Sequence, residues 1–425
     1  MKIESVSKLS GSLSIPGDKS ISHRSIMLGS LADGITEVRN LLMSADCLST
    51  ISCFRQMGIT IDETESCIRI HGKGLHGLTA PLNTLYTGNS GTTTRLISGI
   101  LSAQDFDCTL TGDSSIESRP MKRIITPLSQ MGASIESVYQ NDCAPLKISG
   151  RKLKGIHYTS PVSSAQVKSA ILFAGLYADR ETIITEPSLS RNHSELMLKA
   201  CGCSIQTSGT TTILQPCSHL LPQEITVPGD ISSAAYFIAA GLIVPHSEIC
   251  IKNVGINPTR DGILRVCKAM GADIQMENIH EAGKEPVADL IVRSSNLHGT
   301  LIEGSLIPTL IDEIPIIAIM AAFADGQTII RDAAELKVKE SDRIAVMTEN
   351  LKAMGADITA TEDGMIINGG RPLHGASIKS YNDHRIAMSF AVAALQSEGT
   401  TDIIGGDCVN ISYPEFYDDL KRLSH

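Results

Sequence analysis

Lys19, Ser20 and Arg24 stand at the opening of an apolar-periodic stretch, in Ile15-Pro16-Gly17-Asp18-Lys19-Ser20-Ile21-Ser22-His23-Arg24. Pro16-Gly17 signals a turn, and Ile21 to Leu31 reads as the helix that follows. A helix N-terminus carries unpaired N–H groups and a partial positive charge, so it attracts anions. A lysine, a hydroxyl and, one turn on, an arginine at that place make a site for a phosphate or a carboxylate. A capped surface helix with two solvated cations would look the same in isolation, so the other polar clusters carry the decision.

Comparable clusters precede other apolar helical stretches. Gly88-Asn89-Ser90-Gly91-Thr92 leads to Arg95, where Gly91 allows a ligand close to the backbone and Asn89 or Ser90 can cap. Arg119 stands before Pro120 at an expected helix start, with Lys122 and Arg123 in its first turn; cations there oppose the helix dipole, and a bound anion would explain them. Ser163-Ser164-Ala165-Gln166 opens Val167–Ala178, and Arg191-Asn192-His193 forms a similar polar loop. In the second half, Leu310-Ile311-Asp312-Glu313 opens another apolar helix. Glu313 reads as an ordinary acidic helix start, whereas Asp312, between apolar neighbours, is the better candidate for a working carboxylate. Glu335–Arg343 is densely charged, and Glu340 and Arg343 are spaced to share a helix face. Tyr381-Asn382-Asp383-His384-Arg385 opens the last long apolar stretch, with His384 as a possible cap.

If these helices pack side by side, their entrances converge on one face per domain. Two such faces closing on each other would enclose Lys19, Arg24, Arg119, Lys339, Arg343 and Arg385, with Asp312 and Glu340 among them. That is a site for two small anions with acid–base chemistry between them.

The elements that must position these groups repeat. An apolar helix end, a short turn and a β-branched run recur six times, from Leu28–Val38 to Phe390–Ile403. A helix ending in a glycine that opens a strand recurs at Gly58, Gly132, Gly202, Gly271 and Gly355. A period of roughly 70–75 residues is too long for a solenoid and implies small α/β subdomains. Val227-Pro228-Gly229-Asp230-Ile231-Ser232 echoes the first Pro-Gly-Asp motif about half a chain later, without its lysine. Two domains of three subdomains each are expected: 16–228, and 1–15 joined to 229–425.

Bulk properties limit the alternatives. A net charge of −10, no Trp and 4% aromatic residues argue against a nucleic-acid partner, so the cationic groups suit a small ligand. No apolar run reaches membrane-spanning length. Lys2 followed by mixed polar sequence does not read as a secretory signal, and eleven cysteines then read as reduced cytoplasmic thiols. Cys201-Gly-Cys203 has the wrong spacing for a zinc knuckle, and no metal is expected.

The order of these clusters resembles the EPSP synthase family over essentially the whole chain. The matching segments are Pro16–Arg24, Gly88–Thr92 with Arg95, Arg119-Pro120, Ser164-Ala165-Gln166, Leu310–Glu313, Val338–Arg343 and Asn382–Arg385. The resemblance implies an α/β (α+β) fold, a two-domain inside-out α/β barrel of six βαβαββ-like units. It implies transfer of the enolpyruvyl group of phosphoenolpyruvate to the 5-hydroxyl of shikimate 3-phosphate, by a cytoplasmic and monomeric enzyme with no cofactor. By position, Ser20, Arg24, Ser164, Ala165 and Gln166 would hold shikimate 3-phosphate, with Lys339 assisting and Arg191 adding a contact. Gly91, Arg119, Arg343 and Arg385 would hold phosphoenolpyruvate, Gln166 would touch both ligands, and Lys19 would bridge them. Asp312 would take the hydroxyl proton and Glu340 would handle the proton at the methylene carbon. Gly91 also implies room for a phosphonate analogue such as glyphosate. Asp407 stands where many members carry a lysine. The sister enzymes acting on UDP-N-acetylglucosamine carry Lys-Asn where this chain has Lys19-Ser20, and a loop cysteine that the segment around Arg119 lacks. An inactive anion sensor would have no use for Asp312 and Glu340 among its cations.

Two faces that close on ligands would make the molecule more compact. Small-angle scattering is expected to show a smaller radius of gyration with both substrates than with neither; an unchanged radius would count against closure.

Overall fold

One local plan builds the sheets. A short edge strand lies parallel to the strand that follows a buried helix, and an antiparallel hairpin completes the sheet. In the computed structural model, which describes residues 1–424, the first half of the chain does this three times. Glu224–Thr226 pairs with Ile35–Arg39, which pairs with Ile68–His71 and then Thr60–Glu63. Leu85–Tyr86 begins a second sheet with Asp107–Thr111, Leu146–Ser149 and Ser134–Ser137. His157–Thr159 begins a third with Thr182–Thr185, Thr211–Leu214 and Ile205–Ser208.

The second half repeats the plan with help from the N-terminus. Ser10–Ser14 is the parallel edge of Glu248–Gly255, followed by Glu285–Arg293 and Asp273–Ala282. Leu301–Ile302, Gln327–Ile330, Met365–Asn368 and Asp357–Ala360 form the next sheet. Ser377–Lys379 and Thr401–Ile404 form the last with Lys2–Ile3, which pairs antiparallel.

Contacts divide the chain into two units. One is Gly17–Val227 with Ala282–Glu285; the other is Met1–Pro16, Pro228–Glu281 and the chain from Pro286 on. Ala282–Glu285, at the turn of the Asp273–Arg293 hairpin, groups with the first unit although it lies outside the expected span 16–228. Each unit has its own hydrophobic core.

Each sheet is served by one buried helix: α1 (Lys19–Leu31), α2 (Gly91–Leu101), α3 (Ala165–Gly175), α4 (Ile231–Ile243), α5 (Ile314–Phe323) and α6 (His384–Ala394). A helix apolar all round has to be enclosed on every side, and α5, Ile-Pro-Ile-Ile-Ala-Ile-Met-Ala-Ala-Phe, is buried along almost its whole length. Serines of α1 bond back to their own helix: Ser25 Oγ donates to the Ile21 carbonyl at 2.9 Å and Ser30 Oγ to the Ile26 carbonyl at 2.7 Å. The outer helices end as the glycine pattern predicts. Gly58, Gly132, Gly202, Gly271 and Gly355 have φ between +84° and +93°, the left-handed turn that frees the chain to enter the next strand.

The approach of α2 to α3 needs a glycine. A Cβ at Gly99 of α2 would lie 2.1 Å from the Ala170 carbonyl oxygen of α3. Helix propensity alone would make Gly99→Ala stabilising by about 1 kcal/mol. Overpacking reverses the sign, and the variant is expected to lose about 1–3 kcal/mol in urea denaturation.

Candidate active site

A polar residue stands just before each of the six buried helices, and in five of them its side chain caps the helix. Asp18 Oδ1 accepts from Ile21 N at 2.8 Å, Ser90 Oγ from Thr93 N at 3.1 Å, and Ser164 Oγ from Val167 N at 3.5 Å. Asp230 and Asp383 do the same for α4 and α6. Lys19, Gly91 and Ala165 are therefore the first residues of α1, α2 and α3.

In the first unit these entrances form two linked clusters. Arg24 is buried and donates three hydrogen bonds: Nε to Ser194 Oγ at 2.7 Å, Nη2 to Ser169 Oγ at 2.7 Å, and Nη1 to the Ser20 carbonyl at 2.9 Å. Burial lowers its pKa to about 10, against the opposing pull of Glu195 and Asp18, so it remains charged at neutral pH. Ser169 Oγ in turn donates to the Ala165 carbonyl at 2.6 Å. Lys19 Nζ pairs with Asp46 at 3.0 Å and keeps about a quarter of its side chain exposed. The second cluster gathers at Gly91, where an added Cβ would lie 2.9 Å from Arg95 Nη1 and 3.4 Å from Arg119 Nη1. Arg95 Nη1 donates to Gln166 Oε1 at 2.5 Å, and Gln166 Nε2 to Thr92 Oγ1 at 3.1 Å. Arg119 Nη2 donates to Asn89 Oδ1 at 3.0 Å and Ser115 Oγ at 2.9 Å. The unit thus presents cations, hydroxyls and an amide at the start of three helices, a set suited to phosphate and polyhydroxy groups.

The second unit holds the carboxylates. Asp312 Oδ1 lies 3.4 Å from Lys339 Nζ and 3.5 Å from Arg343 Nη1. Arg343 Nη2 donates to Glu340 Oε2 at 2.7 Å. Its Nε and Nη2 hold Asp383 at 2.8 and 3.3 Å, a forked pair. Arg385 Nη1 donates to the Asp312 carbonyl at 3.2 Å. Burial would lower the affinity of Arg343 for its proton, but Asp383 and Glu340 outweigh it and raise the pKa. Burial is likewise outweighed at Arg385 by Asp312, and at Asp383 by Arg343, which holds that carboxyl below its usual range. Asp383 is sealed, whereas 16% of the Asp312 side chain and 31% of the Glu340 side chain stay exposed. The two accessible carboxylates can exchange protons with a ligand; the sealed one anchors the cation between them.

Several local expectations change. Arg119 does not start a helix: it ends the short helix Ser114–Ser118, and the next helix is Lys122–Gln130. Glu340 lies in the bend before Arg343, with Asp342 as helix cap, so their pairing comes from the bend and not from a shared helix face. His384 is buried and Asp383 is the cap of α6. Glu313 is no solvated helix start. It is buried and accepts from Ser232 Oγ, which also takes a hydrogen bond from Arg260 Nη2 at 2.6 Å. Sequence reasoning missed Asp46, Asp383, Ser169, Ser194 and the role of Arg95. Asp46 sits in the first turn of Ala45–Gln56, where an acid is unremarkable. Among the described residues, no group of three or more His, Cys, Asp or Glu side chains is arranged to hold a metal ion.

Residues 3–420 match the family model described as EPSP synthase (3-phosphoshikimate 1-carboxyvinyltransferase). The chain belongs to the EPSP synthase family. A 3-phosphoshikimate 1-carboxyvinyltransferase of Thermoanaerobacter sp. is 55% identical over 415 residues, 98% of each chain. That of Bacillus cytotoxicus is 51% identical, again over 98% of each. Among solved structures, an EPSP synthase from Acinetobacter baumannii matches with a TM-score of 0.91 and 46% identity, over 99% of this chain and 97% of that one.

Asp383 is ionised in the folded state to a lower pH than in the unfolded chain. Its contribution is therefore present at pH 7 and is lost as pH falls below about 4, the unfolded carboxyl range. Asp383→Asn is expected to cost about 3–5 kcal/mol at pH 7, because it leaves a buried guanidinium short of a carboxylate. The gap between variant and parent should narrow towards pH 3 in thermal denaturation.

Proposed function

We infer that the chain transfers the enolpyruvyl group of phosphoenolpyruvate to the 5-hydroxyl of shikimate 3-phosphate, releasing phosphate. This is the step that yields 5-enolpyruvylshikimate 3-phosphate in aromatic amino acid biosynthesis. Full-length membership of the family supports the reaction. The observation that carries the mechanism is the second unit's pair of accessible carboxylates set against Lys339 and Arg343.

The roles follow the chemistry. Ser20, Arg24, Ser164, Ala165 and Gln166 hold shikimate 3-phosphate, with Lys339 and Arg191. Gly91, Arg119, Arg343 and Arg385 hold the phosphate and carboxylate of phosphoenolpyruvate, and Lys19 bridges the two ligands. Asp312 takes the proton of the attacking hydroxyl as its oxygen bonds to the enol carbon. Glu340 gives a proton to the methylene carbon, then removes one as the carbon–phosphate oxygen bond breaks and the double bond re-forms. Cations placed where charge develops stabilise both steps. The units carry these tasks as a shikimate 3-phosphate side and an acid–base and phosphoenolpyruvate side. The strand order shared by five of the six sheets supports an inside-out barrel arrangement. The working form proposed is a cytoplasmic monomer needing no cofactor; the free cysteines suit a reducing compartment.

A phosphate-release assay tests the reading. Phosphate is expected only with both substrates present, and not when UDP-N-acetylglucosamine replaces shikimate 3-phosphate. Asp312→Asn and Glu340→Gln should each lower kcat by about 10²–10⁴-fold while the fold is kept. No release with both substrates would overturn the assignment. Millimolar glyphosate is expected to compete with phosphoenolpyruvate; Gly91→Ala, pressing on Arg95 and Arg119, should weaken both.

A further inference from the structure

Lys168, on α3, is one of the most completely buried side chains of the molecule. Its Nζ lies 2.8 Å from Glu186 Oε2 and 2.7 Å from Glu195 Oε1, both carboxylates also buried. It donates as well to the Ser190 carbonyl at 3.4 Å. Three buried charges make a poor stabilising device, since apolar side chains of similar volume commonly serve as well or better. Their place in the chain suggests a different use.

Each charge is covalently next to something that touches Arg24 or the loop beside it. Ser169 follows Lys168, and Ser194 precedes Glu195. These are the two hydroxyls that fix the Arg24 guanidinium, and they bond each other at 2.7 Å. Glu186 follows the strand Thr182–Thr185, and its Oε2 accepts from Ser190 N at 3.4 Å. The loop leading to Arg191 thus hangs from the same carboxylate that Lys168 binds. Arg24 feels the carboxylates of Glu195, Asp18 and Glu285 against one further cation, Arg191, and Lys168 offsets Glu195 and Glu186 directly. Without Lys168 the guanidinium would be backed by an excess of buried carboxylate, which repels an incoming phosphate.

We propose that Lys168 is a positioning residue for shikimate 3-phosphate. It clamps the helix His193–Ala200 to α3 so that Ser169 and Ser194 aim Arg24 at the phosphate, and it cancels the carboxylate charge behind that contact. The proposal rests on the reading that Arg24 holds shikimate 3-phosphate.

Titration calorimetry with shikimate 3-phosphate alone, joined to steady-state kinetics, tests it. Lys168→Met is expected to weaken binding by about 10–100-fold, the size of loss seen when a partner that orients a metal-binding side chain is removed. The KM for shikimate 3-phosphate should rise with it, while kcat at saturation and the KM for phosphoenolpyruvate stay near the parent values. Lys168→Arg should restore binding. The double variant K168M/E195Q keeps the charge balance and serves where the single variant does not fold; it should still bind weakly, because the clamp is gone. Unchanged binding in a folded Lys168→Met or double variant would overturn the proposal. Arg24→Met separates the two readings. If it weakens binding and Lys168→Met does not, only the role of Lys168 fails; if it leaves binding intact, the assignment of Arg24 fails and the proposal with it.

Discussion

A guanidinium buried in a protein core has to be surrounded by compensating charge or hydrogen-bond acceptors, and the rest of this structure depends on meeting that demand. Arg343 is almost sealed from solvent and is met by Asp383, Glu340 and Asp312. Arg24 is met by two serine hydroxyls and a backbone carbonyl. The two solutions differ in kind. Neutral acceptors leave the charge of Arg24 available to an anion, whereas carboxylates around Arg343 keep proton-exchanging groups beside a cation. The first suits holding a phosphate and the second suits acid–base work.

The helix entrances explain why these groups sit where they do. A buried helix exposes its first N–H groups at only one place, so caps, cations and ligands compete for that place. Asp18 and Asp230 both cap their helices, accepting from Ile21 N in α1 and from Ser232 N in α4, yet the residues after them diverge. Lys19 follows Asp18 and stays partly exposed, while Ile231 follows Asp230 and is buried. At the second copy, Ser232 bonds Glu313 and Arg260, so the hydroxyl that corresponds to Ser20 is engaged by the protein's own carboxylate. Duplication kept the cap and changed what the helix entrance serves.

The first unit achieves close helix packing with glycine and hydroxyl-bearing residues. Gly99 lets α2 and α3 approach, and His23, Thr50, Thr93 and Ser90 form a hydrogen-bonded chain through the core, with His23 Nδ1 and Thr50 Oγ1 at 2.7 Å. Burial pushes the pKa of His23 down to about 3, so it acts as a neutral member of that chain. Rigid packing of this kind holds the helix entrances at fixed spacings, which a preorganised anion site requires.

What the sequence determined by itself was local and periodic. The glycines after the outer helices, the apolar helical runs, the helix entrances and the repeated plan all follow from backbone conformation and hydrophobic period, which act within a few residues. Asp312, Lys339, Arg343 and Arg385 were legible as a set because each stands at such an entrance. Only the tertiary structure decided how those groups are partnered. Asp46 beside Lys19, Asp383 holding Arg343, the serines around Arg24 and the carboxylates around Lys168 join residues far apart in the chain. In an isolated segment each looks like an ordinary polar residue. Desolvation and hydrogen bonding between distant segments act only once the helices have packed, and they separate the buried anchors from the groups left open to a ligand.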